Sequence, residues 1–367
     1  MIFAGEKAMA DFKYLEVYNY VIDKIKNNEF REGDRLPSEA SLCIKFGISR
    51  RSVRHAYDCL KDSGYVYSQK GSGYYVKVHR SEKNNIAVII SYAQAHMFPD
   101  VLSGISSALM DQGYSMQLGI TNSQYKLEKK CLDMLNLDNL AGLIVEGTRS
   151  ALPNPFISTY QKILDRNIPI VFFHNYYREL NVPSVMMDDV GASYKLTNML
   201  IKAGHTNIGG VFKEDEEQGV RRYAGYVRAL SDAGLEISDD RIWWFNTDAE
   251  LFRNDTYAIT NIENLPKCSA FVCFNDLTCQ QIYRNLKSEG ISVPDDVSLV
   301  GFDDEDVELD HGCRLTTAAH PRRKMGEIAA ETLCDMIRKG ITSLDDNIIL
   351  APTPIIERSS IRSPKDS

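Results

Sequence analysis

The chain has 367 residues, 44% hydrophobic and 25% charged, with a formal net charge of -8. That is ordinary composition for a globular protein, and at roughly 100–200 residues per domain it suggests two or three domains. No segment approaches the run of about 18 apolar residues needed to cross a membrane, and the opening MIFAGEKAMADF is broken by Glu6 and Lys7, so no membrane partner, no secretory signal and a cytoplasmic location are expected.

The charge is uneven. Residues 1–80 carry a net of +4 and residues 81–367 a net of -12, which points to a small basic head, the only part suited to a polyanion, on an acidic body. The eight cysteines form no C-x-x-C pair and several sit in apolar stretches, so they are expected as buried small hydrophobes; neither disulfides nor zinc are expected.

In chain order, YLEVYNYVIDKIKNNEF spaces Val17, Tyr20, Val21 and Ile25 as one apolar helical face. Ser38 is placed to cap a second helix carrying Leu42 and Ile44, and Gly47 ends it. Ser49 is placed to cap a third helix, RRSVRHAYDCLKDSG, with Val53, Tyr57 and Leu60 facing inward and Arg50, Arg51 and Arg54 together on the outer side. Helix, glycine turn, helix is the helix-turn-helix pattern, in which the start of the second helix enters the major groove of double-stranded DNA. Arginine reads guanine edges there, and Ser49 and Ser52 are short enough to reach phosphate or base. YVYSQKGSGYYVKV then reads as a hairpin whose tip carries Lys70, Gly71 and Gly73.

The stretch GDRLPSEASLCIKFGISRRSVRHAYDCLKDSGYVYSQKGSGYYV closely resembles the winged-helix domain of GntR-type bacterial regulators. The resemblance implies DNA contacts at Arg35, Ser38, Ser49, Arg50, Arg51, Ser52, Arg54, Lys70 and Gly71. Many relatives place Arg after LPSE, where this chain has Ala40.

Residues 81–85 are polar and read as a linker to a body over 86–367. There, apolar runs (IAVIIS, MQLGI, AGLIVE, IPIVFF, VPSVMM, NIGGVF, AFVCFN, VSLVGF) alternate with helix-sized stretches, the pattern of parallel α/β architecture. The body is too long for one compact core, so two lobes are expected, one over about 86–187 and 321–348, the other over about 188–320 and 349–362.

In open α/β sheets ligands bind beyond the carboxyl ends of the strands. Those ends deliver Tyr92, His96 and Phe98; His174 and Asn175; Asn275 and Asp276; and Asp303 and Asp304, with Arg222 at the start of a helix. Asp, Asn, Arg and His with aromatics suit a sugar. Some positions have a second reading: Asp188 or Asp189 as a helix cap, Asn275 as a cap or a ligand contact, His174 as a core residue or a ligand contact. DDEDVELD lacks the spacing of a calcium loop, and GVFKEDEE carries no phosphate-binding glycine pattern.

The body resembles the effector domain of LacI/GalR-type repressors, itself similar to periplasmic sugar-binding proteins, through GHTNIGGV, RRYAGYVRAL, FVCFNDLTC, ISVPDDVSLVGFDD and LTTAAHP. The resemblance implies ligand contacts at Arg222, Asn275, Asp303, His320 and His174, with Tyr92 and Phe98 in the first ligand loop, and an aromatic wall from IWWFNTD, that is Trp243, Trp244 or Phe245. A GntR-type head on a LacI-type body is the arrangement of the arabinose-repressor family of Gram-positive bacteria. It implies a homodimer that binds operator DNA and is released by an L-arabinose-like sugar, with no cofactor, no metal and no catalytic residues. Two other function classes are weighed: a GntR-type head on a pyridoxal-dependent, aminotransferase-like enzyme, for which no lysine at a strand end offers an apolar setting, and a secreted binding protein, which the basic head and the expected absence of a secretory signal oppose. A nucleobase or amino-acid effector is the alternative within the same architecture.

Overall fold

A computed structural model of the chain describes residues 3–26, 29–31, 33–69, 71–77, 83–93, 97–248, 268–309 and 312–364. These form two compact units, Met1–Lys83 and Asn84–Ser367.

The first unit contains α1 (Phe3–Lys26), α2 (Glu39–Phe46), α3 (Arg50–Asp62), β1 (Val66–Gln69) and β2 (Gly73–Val76). Ser38 caps α2 by accepting from Ser41 N at 3.1 Å, and Ser49 caps α3 by accepting from Ser52 N at 3.2 Å. Gly47 closes α2 in the left-handed conformation, φ 63°, where a Cβ would be disfavoured. Val17, Val21, Leu42, Val53, Tyr57, Leu60, Val66 and Val76 form the core. Ile44 does not join them: it is 85% exposed, because two positions from Leu42 on a helix point to different sides. The wing is the antiparallel pair β1–β2, in register from Val66↔Val76 to Gln69↔Gly73.

In the second unit the chain runs β3 (Asn85–Ile90), α4 (Phe98–Asp111), β4 (Ser115–Ile120), α5 (Tyr125–Asp133), β5 (Leu140–Val145), α6 (Ile157–Leu164), β6 (Ile170–Phe173), β7 (Ser184–Met187), α7 (Asp189–Lys202), β8 (Ile208–Lys213) and α8 (Glu217–Asp232). It continues through β9 (Ile242–Phe245), β10 (Ala270–Cys273), α9 (Asp276–Ser288), β11 (Ser298–Phe302), β12 (Thr316–Ala318), α10 (Arg322–Lys339), β13 (Ile348–Ala351) and β14 (Ile355–Ile356). The strands make two six-stranded sheets, ordered β13-β7-β6-β5-β3-β4 and β14-β12-β11-β10-β8-β9. Every pairing is parallel except β12–β14. Central strands such as β5, β6 and β10 are buried along their whole length, as covered parallel strands must be.

Two boundaries differ from the sequence reading. Asn85, expected in the linker, already pairs with Ser115 and Leu140 as the first residue of β3. Residues 349–351, expected in the second lobe, belong to β13, which pairs with β7 in the first sheet, so the chain passes to the second lobe only afterwards, to form β14. The lobes are therefore joined by three crossovers, after β7, after β12 and after β13. Helix α10 returns to the first lobe and crosses α4 at backbone contact: a Cβ on Gly104 would lie 2.2 Å from Arg323 O, and one on Gly326 2.2 Å from Val101 O. All eight cysteines are free, five of them buried.

Candidate functional site

In the head, Arg50, Arg51 and Arg54 lie exposed on the outer side of α3, opposite buried Val53, Tyr57 and Leu60. Ser49 and Ser52 stand beside them, their hydroxyls 3.0 Å apart. Arg54 is not loose. Its Nε and Nη2 each donate to the Glu39 carboxylate of α2 at 3.1 Å, so the fork is oriented while 64% of the side chain stays exposed. Arg35 bridges to Tyr75 at the base of the wing, and its guanidinium lies against Gly73, where a Cβ would sit 3.5 Å from Nε. Ser38, at the start of α2, and Gly71, at the wing tip with φ 78°, are both exposed. Lys70 lies outside the described residues. The sequence-predicted DNA contacts thus come from three local features: two helix starts and a wing.

In the body, a cavity of about 210 Å³ lies at the carboxyl ends of the strands of both lobes. Tyr92, Phe98, Arg222, Asn275 and Asp303 line it. His96 lies outside the described residues. His174 and His320 do not reach the lining. They sit behind it, buried, edge to face with ring centroids 4.8 Å apart, and His174 also packs on Phe98. His174 Nδ1 donates to Glu146 Oε1 at 3.1 Å, while His174 Nε2 and both His320 nitrogens have no hydrogen-bond partner among the described residues. Burial holds His320 well below the ordinary histidine range, and the neighbouring His174, Arg222 and Arg322 add to the effect.

Arg222 is the most confined group. It is 1% exposed, and its guanidinium stacks between the Phe302 and Phe274 rings at 4.1 and 4.9 Å. Nε donates to Asp189 Oδ1 at 2.8 Å, Nη1 donates to Phe274 O, and Nη2 stands 3.8 Å from Asp303 Oδ1. Nη2 also donates to Met187 Sδ at 3.8 Å, and Arg222 lines the cavity. The two aspartates offered as caps separate here. Asp188 caps α7 by accepting from Gly191 N at 3.0 Å, whereas fully buried Asp189 is the counter-charge of Arg222. Burial pushes the Asp189 carboxyl up, against the lowering effect of Arg222.

Asn275 does both things its position allowed. Its Oδ1 caps α9 by accepting from Thr278 N at 2.9 Å, and the residue lines the cavity, leaving its amide nitrogen to donate there. Asp303 sits in a left-handed turn, φ 98°, fixed by Arg322, which donates to Asp303 O at 2.8 Å and to Glu305 Oε1 at 2.7 Å. Behind it, Asp276 accepts from Thr317 Oγ1 and Glu305 N, and burial holds its carboxyl well above the usual range.

The sequence reading missed part of the lining. Glu146 follows β5, accepts from Ser91 N at 2.8 Å and presents its carboxylate to the cavity. Lys213, the last residue of β8, is buried, so a lysine does stand at a strand end; its Nζ donates to Glu216 Oε1 at 2.6 Å. Gln218 and Glu305 complete the polar lining. The expected aromatic wall is displaced: Trp243 packs on Phe271, Trp244 on Phe212 and Tyr223, and Phe245 on Phe274, and none of the three lines the cavity. Phe98 and Phe274 take that place. Among the described residues no cluster of His, Cys, Asp or Glu is arranged to hold a metal ion, and no helix is long and apolar enough to cross a membrane.

Residues 13–76 match the model of bacterial regulatory proteins of the gntR family, and residues 197–361 match that of the periplasmic binding protein-like domain. An arabinose metabolism transcriptional repressor of Geobacillus stearothermophilus is 32% identical over 355 residues, covering 95% of this chain and 97% of its own length. One of Halalkalibacterium halodurans is 31% identical over 374 residues, with the same coverage of 95% and 97%. Among solved structures, the transcription regulator CcpA of Lactococcus lactis superposes with a TM-score of 0.66 at 19% identity, covering 76% of this chain and 99% of that one, a likeness of fold.

Proposed function

Because the chain belongs to the family of arabinose metabolism transcriptional repressors, DNA-binding proteins governed by a small effector, we propose that it represses carbohydrate-utilisation genes and leaves its operator when a neutral sugar, L-arabinose or a close relative, fills the cavity between its lobes. The observation that carries this reading is the Arg222–Asp303 pair at the cavity wall, with Asn275 beside it and Phe98 and Phe274 as apolar faces. Carboxylate, amide and guanidinium groups bracket vicinal hydroxyls, while a ring covers the C–H side of a sugar. Both cations of the lining are already neutralised, Arg222 by Asp189 and Lys213 by Glu216, which favours an uncharged ligand over a phosphorylated one.

The protein acts as a cytoplasmic homodimer, a sensor and not an enzyme, with two heads on two half-sites whose spacing the dimer sets. Arg50, Arg51 and Arg54 read the major groove, with Arg35, Ser38, Ser49, Ser52, Lys70 and Gly71 placing the head on phosphates and the wing. The sugar shifts the lobes toward a state in which the heads no longer match the operator, by as much as its affinity for the two states differs. A thermal-shift screen against pentoses, hexoses, their phosphates, purines and amino acids tests this. Stabilisation by L-arabinose or a similar neutral pentose is expected. Stabilisation by a purine, an amino acid or a sugar phosphate alone overturns the effector assignment.

A further inference from the structure

The loop after β5, residues 147–151, is fastened to the first lobe. Asn175 Oδ1 accepts from Gly147 N at 2.7 Å, and its Nδ2 donates to Gly147 O at 2.9 Å. The buried carboxylate of Glu128 accepts from Thr148 N at 2.9 Å, Asn154 Nδ2 at 2.7 Å and Tyr177 OH at 2.8 Å. Tyr125 OH donates to Arg149 O at 3.1 Å. A carboxylate with this many donors is a rigid anchor.

So anchored, the loop meets the second lobe at three points. The Arg149 guanidinium forks onto Asp248, with Nη1 3.0 Å from Oδ2, and its Nε lies 3.9 Å from Asp215 Oδ2. Ala151 N donates to Asp215 O at 3.3 Å, and Ser150 Oγ accepts from Glu217 N at 3.1 Å. Asp215 is itself oriented by Thr247 N, 3.1 and 3.0 Å from its two oxygens. Arg149 makes its contact from a left-handed backbone, φ 45°, which a residue with a Cβ adopts only when its surroundings impose it. The place matters as well. Asp248 follows β9, the edge strand of its sheet opposite β14 and β12, where the crossovers after β12 and β13 attach; the one after β7 enters α7, which packs on β10, β12 and β14. A bond at that edge opposes opening with the longest lever.

We infer that Arg149 is the pin of a latch between the lobes: through Asp248 and Asp215 it holds the cleft closed at the edge remote from the crossovers, before any effector binds. The Arg149 fork keeps the Asp248 carboxyl below its usual range, as a charge-assisted pair does. An effector entering a cleft that is already latched supplies only the rest of the closure, so the latch sets how much closed state exists without it. The inference stands apart from the choice of effector, since no ligand atom takes part.

The test is amide-resolved hydrogen exchange of the full chain without ligand, comparing the parent with Arg149→Met, Asp248→Asn and the double variant. The Ala151 and Glu217 amides, bonded across the cleft, should exchange about two- to fivefold faster in each single variant, the range for breaking one partly exposed ion pair. The double variant should be no faster than Arg149→Met alone, because Asp248→Asn removes a bond that Arg149→Met has already removed. The Gly147 and Thr148 amides, bonded within the first lobe, should keep the parent rates. Unchanged exchange at Ala151 and Glu217 overturns the latch. So does acceleration of Gly147 and Thr148 along with them, which is loss of the loop rather than opening of the cleft, and so do additive effects in the double variant.

Discussion

Arg50, Arg51 and Arg54 stand on one stretch of one helix, exposed, and Arg54 is oriented by the Glu39 carboxylate. Arg222, Asn275 and Asp303 come from three separate segments of the second lobe, and Arg222 is wedged between two phenylalanine rings over a buried aspartate. The first surface is a local motif whose charges cost the fold little and remain available to a polyanion. The second is an assembled site in which the groups that would meet a ligand also hold the lobe together. Function and stability should separate cleanly in the head and be entangled in the cavity.

The largest expected effect tests that entanglement. Asp189→Ala leaves the Arg222 charge buried without its partner and should cost about 3–5 kcal/mol in urea unfolding of the body. Arg51→Ala, an exposed change, should stay within about 0.5 kcal/mol in urea unfolding of the head. Equal losses would erase the distinction. Next comes function in the head: Arg54→Ala should weaken operator binding by about 1–3 kcal/mol and relax one base position, read by gel shift against operator variants. The body's unfolding should not change.

A smaller effect separates the two regions by pH. His320 is held neutral, with its folded pKa well below the unfolded value of about 6.5. A depressed histidine contributes stability that is present above the unfolded pKa and is lost as pH falls through it toward the folded one. Below pH ~6.5 the body should therefore lose stability with a slope of up to about 1.4 kcal/mol per pH unit for that one proton. His320→Gln should flatten the curve by that share; an unaltered slope would mean the ring titrates freely.

The head was legible almost to the residue because its signals are contiguous: Ser38 and Ser49 as caps, Gly47 as terminator, Val53, Tyr57 and Leu60 at helical spacing. Ile44, carried by the same helix as Leu42, lies outside the core, because positions two apart do not share a helix face. In the body, most parallel strands announced themselves as apolar runs, while β12 (TTA) and β14 (II) are too short to do so, and the apolar runs IWWF of β9 and IILA of β13 were not read as strands. The strand-end rule located Tyr92, Asn275 and Asp303, and applied to AGLIVE and GVFK it would also have found Glu146 and Lys213. The role of Asp189 was invisible, since its pairing with Arg222 depends on how α7 and α8 cross. So was Arg149, whose contact rests on a left-handed backbone and a partner nearly a hundred positions away.

The most direct measurement is fluorescence anisotropy of labelled operator bound to the full chain, titrated with L-arabinose, for the parent and for Asp303→Asn. Asparagine tolerates the left-handed turn at this position, so the variant removes the charge while keeping the backbone. A hydrogen bond to a charged group contributes about 1.5–3 kcal/mol, so the variant should need roughly ten- to a hundredfold more sugar for release. Operator affinity without sugar should match the parent, because Asp303 lies outside the head. Release of both proteins at the same sugar concentration, or no release of the parent by any neutral sugar, would contradict a repressor whose cavity, through Arg222 and Asp303, decides when its exposed helix lets go of DNA.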